Sequence, residues 1–450
     1  MEQLINQQKA YFKTDITKSY EFRLEQLQKL KKMIVDNQTK IEKALNQDLN
    51  KSSFEAYTTE VGFVILSVNE AIKKLKSWMK TKRARSTILM MGSGSFIQPE
   101  PLGTVLIIGP FNYPFQLVIE PLIGAIAAGN TALLKPSEFT PSTSELLEKL
   151  ITETFDEEYI KVVLGGSEVT ASLVKQKVDY IFFTGSTRVG QLIYEQAAKN
   201  LVPVTLELGG KSPTIIDETA DLGLAARRIA FGKFSNAGQT CIAPDYIYVQ
   251  ESVKVPFIKE LKQAIDTFYA DKSSFGRIVN ERHFKRLESL VEKDKIIHGG
   301  KMVERELYIQ PTILDGVKWQ DRVMQEEIFG PILPILTYKQ IDEVIAILKD
   351  KEKPLALYLF TKNKEVEAKV FNALSFGGGA INDTIMHVAN AHLPFGGVGA
   401  SGIGAYHGKT SFDTFSHFKS YVKKNPLFDS RLLYPPYSKK IEDTLKKWIK

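Results

Sequence analysis

From Gly103 onward the chain alternates short, nearly all-apolar runs with stretches of helical periodicity, and no other feature restricts its fold as much. The runs at 104–108, 132–135, 161–164, 180–184 and 204–207 read as strands, with helices near 119–128, 142–154, 168–175 and 188–199. Apolar strands separated by helices imply a parallel sheet covered on both faces. Ligands of such sheets bind at the carboxyl ends of the strands. A second series begins near Ser212, with strands at 214–216, 246–249, 332–336, 357–360 and 379–382. The expected class is therefore α/β, with two doubly wound parallel sheets.

Outside these series the pattern differs. Residues 1 to about 82 read as amphipathic helices, with Phe22, Leu24, Leu27, Leu30 and Ile34 recurring at helical spacing. A β-favouring, loop-rich segment follows from Arg83 to Pro101, and Met91-Gly92-Ser93-Gly94-Ser95 within it reads as a hairpin turn or loop. No internal repeat and no low-complexity tract interrupts the chain.

A length of 450 residues exceeds one ordinary core, so two or three domains are expected. The net charge of +7 is spread over scattered lysines with no arginine-rich stripe, so it reads as solubility, with no nucleic-acid role expected. Met1-Glu2-Gln3-Leu4-Ile5-Asn6 lacks the build of a secretory signal, and one cysteine suits the reducing cytosol, so a cytoplasmic location is expected. The apolar stretch 106–134 contains Pro110, Pro114, Pro121 and Glu120, each costly in a bilayer helix, so no transmembrane segment is expected there. A strand, a turn and a buried helix suit it better. His387, His392, His407 and His417 lack metal-ligand spacing, so no metal is expected. At the carboxyl end Ile441, Leu445, Trp448 and Ile449 share one face of a basic helix. Such a helix packs on its own protein or a partner more often than it rests on a membrane, so peripheral membrane contact is not the favoured reading.

Four places carry candidate chemistry. Cys241, the only cysteine, is either a small buried hydrophobe or a nucleophile. In Phe183-Thr184-Gly185-Ser186-Thr187-Arg188-Val189-Gly190 a strand hands over to a helix, where free N–H groups suit a phosphate; a plain turn fits equally well. Glu207 ends an apolar strand before Gly209 and Gly210 and is either paired structurally or kept as a base. Asn112, between Pro110 and Pro114, could close an Asx turn or donate its amide into a cleft, as an oxyanion hole requires.

Taken together, seven segments in order resemble the NAD(P)-dependent aldehyde dehydrogenase superfamily. They are Pro110-Phe111-Asn112-Tyr113-Pro114, Lys135-Pro136-Ser137-Glu138, Phe183-Thr184-Gly185-Ser186, Leu206-Glu207-Leu208-Gly209-Gly210-Lys211, Gly238-Gln239-Thr240-Cys241, Glu326-Glu327-Ile328-Phe329-Gly330-Pro331 and Pro394-Phe395-Gly396-Gly397-Val398-Gly399. Ala405-Tyr406-His407-Gly408-Lys409 and Tyr434-Pro435-Pro436-Tyr437-Ser438 resemble the class 3, fatty-aldehyde-type branch.

The resemblance implies oxidation of an aldehyde, medium- to long-chain aliphatic or aromatic, to its acid through a thiohemiacetal and a thioester on Cys241. It implies that the Asn112 amide and the Cys241 N–H hold the oxyanion and that Glu207 activates water. Lys135 and Glu138 would meet the adenosine ribose, and Ser186, in the Gly185–Gly190 turn, the pyrophosphate. Glu327 would hold the nicotinamide ribose, with Phe329 packed near the nicotinamide. Glu138 disfavours a 2′-phosphate and Lys135 attracts one, so NAD is expected with NADP also accepted. The implied division is a cofactor-binding domain (1–82 and 102–206), an oligomerisation element (83–101 and 411–425), a catalytic domain (207–410) and a carboxyl-terminal tail (426–450). A homodimer follows from the β element. Two rivals use the same thiol. One is acyl transfer to coenzyme A or phosphate, which commonly goes without the water-activating glutamate; the other is a cofactor-independent cysteine hydrolase, which needs a histidine base.

Overall fold

The structure, a computed structural model, describes residues 1–87, 90, 92–427 and 434–449, the last two of these (448 and 449) as backbone alone. Met91 and the side chains of Trp448 and Ile449 thus lie outside the described residues.

The strands of the first series form one six-stranded sheet. Its order is Gly402–Ile403, Val204–Glu207, Tyr180–Thr184, Thr104–Ile108, Thr131–Lys135 and Ile160–Val162, all parallel except the first. Alternate side chains of a strand point to opposite faces, and here both faces are apolar. Val105, Ile107 and Phe182 join a core with Leu122 and Ile126, whereas Leu106, Ile108 and Phe183 join another with Ile193 and Ala197. The helix Gln116–Ala128 is buried along its whole length on the first of these faces, which explains why 106–134 is so apolar. No helix among the described residues is long and apolar enough to cross a membrane.

Strand order reverses at Thr104–Ile108: the next two strands in sequence lie on one side and the following two on the other. The turns after Ile108 and Thr184 therefore flank the crevice where such sheets take ligands.

The second sheet has seven strands, ordered Ile296–His298, Thr312–Leu314, Ile332–Tyr338, Tyr246–Gln250, Pro213–Ile216, Ala356–Phe360 and Gly378–Ile381. All are parallel except Ile296–His298, which with Thr312–Leu314 is too short and too polar in its flanks to stand out in the sequence.

A third, antiparallel sheet joins Lys82–Ala84, Ser93–Pro101 and Ser416–Lys424, the last two in register from Ser416 opposite Pro101 to Lys424 opposite Ser93. Gly94 and Ser95, expected in a turn, lie inside a strand. Cross-strand pairing and the Phe96–Tyr421 ring stack, 5.3 Å between centroids, outweigh their weak β preference. The chain also returns to the first sheet at Gly402–Ile403, inside the stretch 207–410 that the sequence groups with the second.

Candidate active site

The turn Gly109–Pro114 leaves the central strand of the first sheet at its switch point. Asn112 is 2% exposed, and its carbonyl oxygen accepts from Lys51 Nζ at 2.9 Å and from Asn236 Nδ2 at 2.7 Å. The next residue reaches further: the Tyr113 hydroxyl lies 2.7 Å from Thr240 Oγ1, directly before Cys241.

Cys241 sits in a tightly tied loop ahead of Tyr246–Gln250. Asn236, Ala237 and Gly238 take positive φ of 51°, 52° and 74°. A Cβ on Gly238 would stand 2.4 Å from the Gly330 carbonyl oxygen, so only glycine fits there. The Gln239 amide donates to the carbonyls of Asn236 (3.1 Å) and Arg277 (3.0 Å) and accepts from Val279 N–H (3.0 Å). Tyr358 hydroxyl donates to Ile242 carbonyl at 2.6 Å. Burial, with Glu327 and Glu207 nearby, pushes the Cys241 thiol up to about 12, although its own N–H and that of Ile242 face the sulfur and pull the other way.

Glu207 ends the strand Val204–Glu207 and is 2% exposed. Neither carboxyl oxygen has a hydrogen-bond partner among the described residues, and burial raises the group well above the ordinary carboxylate range. Glu327 comes close to the same strand end. A Cβ on Gly209 would stand 2.2 Å from Glu327 Oε2, so this glycine makes room for the carboxyl. Burial and then Asp245 push Glu327 up to about 8, against a hydrogen bond from Gly210 N–H. Its loop is pinned: Asp245 Oδ1 accepts from Ile328 N–H at 2.8 Å, and Lys211 Nζ donates to Glu326 carbonyl at 2.8 Å. Phe329, at φ 50°, sets its ring edge-on to Phe111, 5.7 Å between centroids.

The remaining sequence candidates line the carboxyl ends of the first sheet. Lys135 is buried, donates to Pro136 carbonyl at 2.7 Å and lies 3.6 Å from the Glu138 carboxylate. Gly185 N–H donates to Glu207 carbonyl at 3.0 Å. Ser186 is the exposed N-cap of Thr187–Ala198, and its Oγ accepts from Val189 N–H at 3.4 Å. Gly190 lets that helix press against Leu208, whose Cδ2 would stand 2.7 Å from a Cβ there. His387 and His407 both stack on Phe395, at 6.1 and 5.1 Å, and burial lowers them to about 4 and about 3. No group of three or more histidine, cysteine, aspartate or glutamate side chains among the described residues could hold a metal ion.

The aldehyde dehydrogenase family model matches residues 1–421. The chain belongs to the aldehyde dehydrogenase family. It is 54% identical, over 98% of both chains, to a protein of Staphylococcus aureus named 4,4'-diaponeurosporen-aldehyde dehydrogenase. It is 46% identical to aldehyde dehydrogenase family 3 member A2 of Mus musculus, over 97% of this chain and 92% of that one. Among solved structures, a substrate-bound state of Staphylococcus aureus AldH is similar at a TM-score of 0.98 and 53% identity, covering 100% of this chain and 99% of that one.

This aldehyde dehydrogenase is thus an NAD(P)-dependent oxidoreductase of the class 3 branch that oxidises an aldehyde to its acid. The fold sets Lys135, Glu138, Gly185, Ser186 and Gly190 at or just beyond the carboxyl ends of the first sheet and brings Cys241, Asn112, Glu207 and Glu327 together between those ends and the amino ends of the second. Sequence reasoning did not single out Lys51, Glu60, Asn236, Lys211 or Asp245. The one available signal was the cluster of polar residues beside Gly238, because a bare loop with left-handed backbone needs side chains to hold it.

Proposed function

We propose that Cys241 is the nucleophile, Asn112 the oxyanion donor and Glu207 the base that activates water. One observation carries this reading: the Tyr113–Thr240 hydrogen bond, at 2.7 Å, ties the Asn112 turn to the residue before Cys241, whose thiol feels both Glu327 and Glu207. The thiol passes its proton to solvent water as sulfur bonds the aldehyde carbon, and the carbonyl electron pair moves onto oxygen, which becomes an alkoxide beside the Asn112 amide. Removing one such donor typically costs on the order of 10²–10³ in rate. A bound nicotinamide would accept the hydride from that carbon, whose loss leaves a thioester on Cys241. A water entering beside Glu207 solvates the carboxyl that burial had raised, and its proton leaves to solvent; the carboxylate then takes the entering water's proton as oxygen bonds the acyl carbon. The C–S bond breaks, the sulfur takes the proton held by Glu207, and the acid leaves.

Supporting the cofactor reading, Thr184 Oγ1 is buried without a partner among the described residues at the strand end that leads into Gly185 and Ser186. A pyrophosphate would meet the N–H groups of that helix start, with Gly190 allowing close packing. Lys135 and Glu138 would hold the adenosine ribose, Glu327 the nicotinamide ribose, and Phe329 would border the ring. Glu138 favours NAD, while Lys135 leaves room for NADP. In the same reading residues 1–82 with 102–206 bind cofactor, 207–410 carry the chemistry, and 83–101 with 411–425 pair two copies. Phe418, Tyr421 and Val422 are exposed on the outer strand of that small sheet, which fits a homodimer; we place the enzyme in the cytoplasm.

The substrate would be a medium- to long-chain aliphatic or aromatic aldehyde; the staphylococcal relative is itself named for a 4,4'-diaponeurosporen-aldehyde. A hydrolase would need a histidine base at the thiol, whereas the ionisable groups that bear on Cys241 are the carboxyls of Glu327 and Glu207. Initial rates of NADH and NADPH formation across aldehydes from acetaldehyde to long-chain and aromatic members test the assignment. Higher kcat/KM for longer chains with NAD is expected. Preference for acetaldehyde, or much the higher kcat/KM with NADP, would overturn it.

A further inference from the structure

Lys51 and Glu60 are both 0% exposed and form an ion pair outside the candidate catalytic groups. Lys51 follows the left-handed cap Asn50 of the helix Gln38–Leu49. Glu60 rides on the π-helical turn Tyr57–Val61, a widened turn that interrupts the helices on either side. A buried pair of this kind contributes little net stability, because desolvation offsets its Coulomb attraction. Its contacts point elsewhere.

Lys51 Nζ donates to the Asn112 carbonyl at 2.9 Å and stands 4.0 Å from the centroid of the Tyr113 ring. The second oxygen of Glu60 accepts from Phe115 N–H at 2.9 Å and from Gln116 N–H at 3.1 Å. The pair therefore grips the Asn112 turn at both ends. The same turn is bound to the cysteine loop twice, through Asn236 Nδ2 to the Asn112 carbonyl at 2.7 Å and through Tyr113 to Thr240 at 2.7 Å. Asn236 N–H is itself held by Glu55 Oε1 at 2.6 Å, a carboxylate that Lys51 also stabilises. One buried cation thus sits where the two loops meet.

We propose that Lys51, held by Glu60, is a positioning residue that fixes the Asn112 amide relative to the Cys241 sulfur. The proposal rests on the assignment of Asn112 and Cys241 made above. A displacement of about an ångström between such groups can cost on the order of 100-fold in rate.

The test compares the full-length parent with Lys51→Met, Lys51→Met/Glu60→Leu and Cys241→Ser. The double variant removes both charges, so Glu60 is not left unpaired as it is in Lys51→Met, and Glu55 keeps its bond from Asn236 N–H. Readouts are kcat and KM for hexanal with NAD, the rate of the first-turnover NADH burst, NADH binding by fluorescence and the thermal midpoint. The double variant is expected to fold, bind NADH like the parent and keep KM within about threefold, while kcat and burst rate fall on the order of 100-fold. Parent-like kcat in the folded double variant overturns the proposal. So does a double variant that does not fold, or one that loses NADH binding together with rate, because the pair then serves folding and not alignment. Full activity in Cys241→Ser would instead overturn the underlying site assignment, so the two failures are distinct.

Discussion

The Cys241 loop and the Glu207 strand end face each other across the site and are held in opposite ways. Around Cys241 the backbone is fastened by Gln239, Asn236, Thr240 and Tyr358, whereas the two oxygens of Glu207 have no partner among the described residues. A group that must meet a carbonyl carbon in one geometry benefits from a pre-ordered backbone. A group that must release and take up protons benefits from a setting whose polarity changes when water enters, since desolvation alone raises Glu207. Ties align one side, and their absence tunes the other.

Removing the sulfur breaks the comparison most severely. Cys241→Ser should lower NADH formation with any aldehyde by on the order of 10³-fold or more while NADH binding, read by fluorescence, stays at the parental level. Retained turnover would remove Cys241 from the role of nucleophile. A smaller loss follows from the tied side's second group: Asn112→Ala should lower kcat by on the order of 10²–10³, with little change in cofactor binding. A rise in KM with unchanged kcat would instead make Asn112 a substrate-binding group.

The mildest expected effect concerns protonation. A thiol raised to about 12 is mostly protonated at neutral pH, so iodoacetamide should alkylate the cofactor-free enzyme more slowly than it does a simple thiol. Its rate should climb roughly tenfold per pH unit up to about pH 10, following the thiolate fraction. With one cysteine in the chain, the label reports this position alone. A plateau below about pH 8 would show a thiolate already formed at rest.

Much of this arrangement was legible in the sequence, for identifiable reasons. Strands such as Thr104–Ile108 and Tyr180–Thr184 are buried on both faces, so they could only be written in apolar residues. Asn112, Glu207 and Gly185 stood out because polar or small residues directly follow or end such runs. Lys51 and Glu60 did not. In sequence they resemble the charged face of surface helices, and only packing against the Asn112 turn turns them into a buried pair. Gly402–Ile403 was invisible for another reason: a two-residue strand has no pattern, and its partner Val204–Glu207 lies far away in the chain. The closeness of Glu327 to the thiol needed the folded chain as well, since it depends on Gly209 offering no side chain where the carboxyl sits.

The contrast between Cys241 as the proposed nucleophile, tied in place, and Glu207 as the proposed base, unpartnered, meets its most direct test in the intact mass of Glu207→Gln after mixing with hexanal and NAD. The expected result is one NADH per chain and a stable mass gain equal to the hexanoyl group, carried by the peptide that contains Cys241. An unmodified protein with steady turnover equal to the parent's would contradict it.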